Sequence, residues 1–489
     1  MIVIKTKGEK RYAYITTPDS SFENTLRDIV DDIRDSMKVP NAARKVLARS
    51  RNPNAKKAAK YMSDFFYPIT VGGRFSIGLL GMIVSKIIER YPHLKKHITI
   101  DESTMALYRP SNLRDLDIKD EYGEKVLRYY QKEALEAAKK AGRGLLIMGT
   151  GAGKSLAIAA LIDSLVKKKP DAKILLLVPQ SNLVNQFSGD FDDYGVSFTY
   201  SMWKNGYPLD KTTNVCIVTH AMVRQRYKKE WDWMKTMDMV ISDEVHTVSK
   251  ETDVSDIIES IETLNKFGFT GTLSKDERQQ WHTIGSYGSI IYEKPGVELR
   301  EENFLTQCTV VGLKITHPVH GHMSFLSECS YISNSTTRNR KICELVKIRN
   351  GNFLILVNFI EHGENILRVL KEMYPDRPSY FVTGDTPDGE RERIRKEMES
   401  RSDCILVAIT KIFSTGVNIT NLPNIIIAMG GKAYIRLVQT IGRGLRLHAD
   451  KTRLYIFDFF DNLHYSFSHF QDRREIYEEE NIRIVEKDL

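Results

Sequence analysis

Short apolar runs alternate with helically spaced segments twice along this chain, and that repetition limits the folds open to it. From about residue 127, "LRYYQKEALEAAKKAG" has helical spacing and leads to the apolar run "GLLIM", a glycine-rich turn and the helical "LAIAALIDSLVKK". "KILLLVP", "VCIVTH", "MDMVISDE" and "KFGFTGT" read as further strands, with the helix "NLVNQFSGDF" among them. Beyond about residue 300 the pattern restarts, with "NFLILVNF", "SYFVTG", "DCILVAIT", "NIIIAMG" and "RLYIFDFF" as strands and "HGENILRVLKEM" and "DGERERIRKEMES" as helices. Strands that are apolar on both faces need cover on both faces, which a parallel sheet with helices on either side provides. The fold class expected is α/β, with two doubly wound parallel-sheet domains in tandem. Between them, "YEKPGVELREENFLTQ" mixes Pro, Gly and charge and reads as the hinge.

A chain of 489 residues is too long for one hydrophobic core, and at roughly 150 residues per domain it should hold about three. The expected divisions are an accessory domain at 1–115, a first α/β domain at 116–300 and a second at 301–489. The segment before residue 110 lacks the alternation and holds a long basic stretch, so a small α+β N-terminal domain is expected there. Hydrophobic and charged fractions of 42% and 27% exclude a disordered or collagen-like chain. A formal net charge of +8 permits a polyanionic partner without requiring one.

The five cysteines, Cys216, Cys308, Cys329, Cys343 and Cys404, are widely separated and form no CxxC pair, which argues against a disulfide framework and a zinc site. Cys216 and Cys404 lie in strand-like apolar runs and read as buried thiols. The start, "MIVIKTKGEKRY", becomes charged too early for a signal peptide, and no apolar run reaches the roughly eighteen residues of a membrane span. A cytoplasmic setting is expected.

"GLLIMGTGAGKSLAIAA" is a strand, a turn and a helix, with Gly149, Thr150, Gly151, Ala152 and Gly153 at the junction. Glycines let backbone N–H groups curl around phosphate oxygens, and the following helix points its positive end at the same place. Lys154 would reach the β and γ phosphates of ATP, and the Ser155 hydroxyl would ligate Mg²⁺. Met148 stands where GxxxxGK[ST] asks for glycine. Downstream, "MVISDEVH" ends an apolar strand with Asp243 and Glu244. An acid there can hold the Mg²⁺ water shell, and its neighbour can orient or deprotonate an attacking water. In "QTIGRGLR", Arg443 and Arg446 stand three apart and share one helix face, so they call for a negative partner.

In this order, "GTGAGKS", "DEVH", "FTGTL" and "QTIGRGLR" resemble motifs I, II, III and VI of superfamily 2 helicases of the DExH type, and the resemblance covers roughly residues 120 to 465. It implies two RecA-like domains that hydrolyse ATP with Lys154, Asp243, Glu244 and His246. It also implies that Arg443 and Arg446 act as arginine fingers on the γ-phosphoryl group, with Gln439 one turn earlier holding water or phosphate. Arg128 and Gln131 in "LRYYQ" match the element that reads adenine. Pro179 and Gln180 in "VPQSNLVNQF" resemble motif Ia, Thr219 in "IVTHAM" the strand-contacting element after it, and Asn358 in "LVNFIEHGENI" motif IV. Thr410, Thr415 and Gly416 in "AITKIFSTGVNI" resemble motif V, with Gly416 toward the nucleotide. With Thr383, at the end of "SYFVTG", these strand-end groups suit phosphate contacts to a nucleic acid.

"NAARKVLARSRNPNAKKAAK" carries Arg44, Lys45, Arg49, Arg51, Lys56, Lys57 and Lys60 with no acid, which makes either a phosphate-binding face or a solvated pair of basic helices. "FFYPITVGGRFSIGLLGMI" reads as a hairpin running into a helix, and resembles the N-terminal DNA-binding domain of the phage UvsW family of branch-migrating helicases. That resemblance implies work on single-stranded and branched DNA, moving 3′ to 5′ and reannealing strands as readily as separating them; a monomer is expected. "DEVH" and "TGT" differ from the DEAD type of RNA helicase, which favours DNA. An RNA helicase, or an annealing protein in which ATP only switches affinity, are the alternatives.

Overall fold

The computed structural model describes the chain apart from residues 9, 51, 251, 275, 319–322, 411–418, 420, 429–452 and 480. It divides into two compact units, residues 1–148 with 153–293, and residues 149–152 with 294–489.

In the first unit, a seven-stranded sheet and a smaller N-terminal sheet share one continuous apolar core, which runs from Ile4, Phe75 and Ile83 to Val218, Ile258 and Tyr287. The small sheet comprises β1 (Ile2–Lys5), β2 (Tyr12–Thr16), β3 (Arg74–Ser76) and β4 (Ile98–Ile100), in the order β3-β2-β1-β4. Only its β1–β4 pair is parallel. The basic stretch forms two helices, Ala42–Arg49 and Pro53–Lys60, each begun by an asparagine side chain (Asn41, Asn52) that accepts a backbone N–H. The expected hairpin is present as Ile69 facing Phe75, whereas Phe65–Phe66 pairs with Val39–Pro40 instead.

The large sheet comprises β5 (Gly144–Met148), β6 (Ile174–Val178), β7 (Tyr200–Trp203), β8 (Val215–Thr219), β9 (Met239–Ser242), β10 (Asn265–Thr270) and β11 (Ile290–Lys294). Their order is β7-β8-β6-β9-β10-β5-β11. Every residue of β5, β6 and β8 is buried, as strands apolar on both faces require.

The second unit repeats this plan with β12 (Gln307–Ile315), β13 (Phe353–Val357), β14 (Ser379–Val382), β15 (Ile405–Ile409), β16 (Asn424–Ile427), β17 (Arg453–Asp461) and β18 (Arg483–Asp488). The order β14-β15-β13-β16-β17-β12-β18 is the same permutation of chain order as in the first sheet, and all its pairs are parallel. The tandem α/β reading therefore holds. The strands missing from the sequence reading include the edges β7, β11 and β18, which are only partly buried and so lack the all-apolar signature. All five cysteines are buried. No described helix is long and apolar enough to cross a membrane.

Buried polar groups lock the second unit. Arg338 grips Asp461 through Nε and a terminal nitrogen (2.9 and 3.1 Å), and Arg473 grips Asp458 in the same bidentate way (2.9 and 2.7 Å). His362 bonds Asn339 through Nε2 (3.0 Å), while burial, then the nearby Arg338 cation, lowers its imidazole to about 3. Unfolded histidine titrates near 6.5, so this group's contribution to stability is complete above that pH and is lost as pH falls toward about 3. A His362→Gln variant should therefore lose less stability than wild type between pH 7 and pH 5, as read from urea unfolding midpoints.

Candidate nucleotide site on the first sheet

Parallel pairing carries the carboxyl ends of β8, β6, β9, β10 and β5 to one rim, in that lateral order. Along it stand Thr219 at the end of β8, Pro179 and Gln180 after β6, Asp243 and Glu244 after β9, Thr270 at the end of β10, and the glycine-rich turn after β5. Ligand sites of open parallel sheets form at this edge.

Gly153 starts the helix Lys154–Lys168 with φ +79°, in the left-handed region that glycine enters without penalty. Its carbonyl accepts Gln131 Nε2 at 2.9 Å, and a Cβ on Gly153 would lie 2.6 Å from that nitrogen. Lys154, the first residue of the helix, places Nζ 3.4 Å from the Met148 carbonyl and 3.8 Å from Glu244 Oε1. The Ser155 hydroxyl lies 2.9 Å from that of Tyr194. Gly149, Thr150, Gly151 and Ala152 belong to the second unit by compactness, and Gly151 has φ +89°.

The acidic pair is held under tension. Asp243 is 8% exposed, and its Oδ1 is buried without a hydrogen-bond partner among the described residues. Burial, reinforced by the Glu244 carboxylate and opposed by Lys154, pushes its carboxyl up to about 7. Glu244 takes φ +48°, a conformation that costs a non-glycine residue about 1 kcal/mol or more, and is fixed there by the N–H and hydroxyl of Thr247 on its carbonyl (2.9 and 2.8 Å). Buried His246 sets Nδ1 2.8 Å from Thr270 Oγ1 and 3.3 Å from Glu244 Oε2. Thr270 thereby ties the "FTGTL" stretch to the acids. Lys154, Glu244, His246 and Thr270 form one connected set.

These residues fit ATP and Mg²⁺. An unpartnered buried carboxylate oxygen, on a carboxyl driven toward neutrality, is relieved by a nearby cation. A helix N-terminus entered through two positive-φ glycines suits phosphate oxygens.

Other expected site residues are placed differently. The Gln131 side chain is almost wholly buried: its Oε1 accepts the Arg128 backbone N–H (2.8 Å) and its Nε2 donates to the Gly153 carbonyl (2.9 Å), so the amide holds the turn. Arg128 is half-buried and donates to the Tyr130 hydroxyl (2.9 Å). Thr219 is 7% exposed and caps the next helix by accepting the Met222 N–H (3.2 Å). Arg44 is committed to the Ala59 carbonyl (3.2 Å) and to Asp64, while Arg49, Lys56, Lys57 and Lys60 are exposed. In the second sheet, Asn358, Thr383 and Thr410 follow the adjacent strands β13, β14 and β15; the Thr410 hydroxyl donates to the Val357 carbonyl (3.0 Å) and the Thr383 hydroxyl accepts the Asp385 N–H (3.3 Å). Arg51, Thr415, Gly416, Gln439, Arg443 and Arg446, and the side chain of Lys45, lie outside the described residues. Tyr194 and the Ser242–Tyr287 contact beneath the acids carry no local sequence signal, being joined only by folding.

Two family models match the chain: "Type III restriction enzyme, res subunit" over residues 124–275 and "Helicase conserved C-terminal domain" over residues 337–448. The ATP-dependent DNA helicase uvsW of Enterobacteria phage T4 is 28% identical over 389 residues, which are 73% of this chain and 76% of that protein. The type I restriction enzyme EcoAI endonuclease subunit of Escherichia coli is 22% identical, over 70% of this chain but only 47% of its own length. Among solved structures, the DNA-bound type ISP restriction-modification enzyme LlaBIII superimposes with a TM-score of 0.58 at 17% identity, over 75% of this chain and 31% of its own.

A Gly153→Ala substitution forces a side chain into the left-handed region and against Gln131. It should weaken binding of a fluorescent ATP analogue at least about tenfold, measured by titration, while leaving the far-ultraviolet circular dichroism unchanged.

Proposed function

We propose that this chain, which belongs to the superfamily 2 helicases, a group of ATP-dependent enzymes, works on DNA, unwinding, reannealing and branch-migrating forks and four-way junctions with 3′ to 5′ polarity. The observation that carries the motor part of this reading is the connected set Lys154, Glu244, His246 and Thr270 on the rim of the first sheet. Similarity to a DNA helicase over most of both chains supports the substrate.

In this reading Lys154 and the backbone N–H groups of residues 149–155 hold the ATP phosphates. Asp243 and the Ser155 hydroxyl would hold Mg²⁺, which when bound would supply positive charge to the transferring phosphate. Glu244 accepts the proton of the attacking water, and His246 and Thr270 keep its carboxylate oriented. Gln131 keeps the turn in shape and exchanges its present partners when adenine arrives. Arg443 and Arg446, with Gln439, bring charge to the transferring phosphoryl group, so hydrolysis is tied to movement of the second domain. Residues 1–115 form an accessory DNA-binding domain, 116–300 and 301–489 the two motor domains. Exposed Arg49, Lys56, Lys57 and Lys60, with the rim groups Pro179, Gln180, Asn358, Thr383 and Thr410, track the phosphates of a strand.

The test is ATPase rate with no nucleic acid, single-stranded DNA, a synthetic four-way DNA junction and matched RNA. Strong stimulation by DNA, greatest with the junction and absent from Lys154→Ala, is expected; stimulation by RNA alone overturns the substrate. Arg446→Ala should retain ATP affinity while losing turnover by about a hundredfold or more, since a finger acts mainly in the transition state.

A further inference from the structure

The helix Glu277–Tyr287 is attached to the hydrolytic rim at both ends. At its carboxyl end the Tyr287 hydroxyl is bonded to the hydroxyl of Ser242, the residue before Asp243, and both side chains are wholly buried. At its amino end, the Asp276 side chain caps the helix, and Gln280 Nε2 donates to the carbonyl of Ser274 (2.7 Å), a few residues after Thr270, the partner of His246 and Glu244.

The outer face of the same helix is the seat of the N-terminal segment. Phe66 stacks on Trp281 with ring centroids 6.1 Å apart at 27°, leans on His282 at 5.0 Å, and is covered by the Arg278 guanidinium at 4.9 Å. Gly78 lies so close that a Cβ there would stand 2.1 Å from the Ile284 carbonyl oxygen and 2.5 Å from that of Gly285. Ser76 bonds Glu259 (3.1 Å), which also takes the Ser286 hydroxyl (3.3 Å). Phe66 follows the basic helices closely in sequence and pairs with Val39 just before them, so a load on residues 41–60 is delivered to Phe66.

We propose that the helix Glu277–Tyr287 reports DNA engagement by the N-terminal segment to the hydrolytic acids, with Phe66 as the input contact and Tyr287 as the positioning residue that sets the backbone ahead of Asp243. The proposal rests on the DNA-motor reading above. Close packing makes the helix a stiff element, so displacing its outer face shifts Ser242 and Thr270 together. Tyr287 acts through Ser242.

The experiment uses the full chain and measures ATPase without and with the four-way DNA junction, junction affinity by fluorescence anisotropy, and melting temperature. Phe66→Ala should keep the DNA-free rate within about twofold and junction affinity unchanged, yet lose at least about fivefold in stimulation, and Phe66→Trp should restore it. Tyr287→Phe, which removes one oxygen and keeps the ring, should lower the stimulated kcat about fivefold with KM for ATP and junction affinity unchanged. The double variant should be no worse than the weaker single one, because both cut one path. Full stimulation of Phe66→Ala, a loss that tracks junction affinity, or losses that multiply in the double variant overturns the proposal while the DNA-motor reading stands. Absence of stimulation in wild type sinks both.

Discussion

Parallel strand pairing is the constraint from which the rest of this molecule follows. Strands hydrogen-bonded in the same direction end at the same edge, so residues more than a hundred positions apart, such as Lys154 and Thr270, reach one rim without any need to be neighbours in the chain. The crossovers that parallel pairing demands are helices, and these cover both faces and make the strands apolar throughout. Repetition of one strand order in both sheets shows the same solution used twice.

At that rim the fold holds charges in positions that water would relax. Asp243 and Glu244 are adjacent carboxylates, one deeply buried and the other in a left-handed conformation, and the Lys154 ammonium faces Glu244. Such an arrangement persists only because the surroundings over-determine it: Thr247 pins the Glu244 carbonyl, Thr270 and His246 orient its carboxylate, and Ser242 is bonded from below. Strain of this kind is the physical form of a site prepared for charge that arrives with the ligand.

The N-terminal segment is no loose appendage. Its sheet contributes to the same apolar core as the first large sheet, and its contacts with helix Glu277–Tyr287 include backbone approaches that exclude even a methyl group. The basic helices that it presents are thus mounted on the scaffold that carries the acids.

Elements of the central strands were legible because burial on both faces writes an unbroken apolar run, as in "ILLLV" and "FLILV". The edge strands β7, β11 and β18 were not, since a half-exposed strand carries no such mark, although the edge strand β14 was read from "SYFVTG" and the internal β12 was missed. The glycine turn and the acidic pair were legible because their chemistry is local: neighbours in sequence suffice to curl a backbone around phosphate or to set two carboxylates side by side. The sequence by itself thus determined the α/β class and the tandem plan, and singled out the glycine turn and the acidic pair. Only the tertiary structure decided that Gln131 props the turn, that Thr219 caps a helix, and that Tyr287 bonds Ser242, the residue before Asp243. Those roles depend on distances between segments far apart in the chain, which sheet order and core packing set and no local pattern encodes.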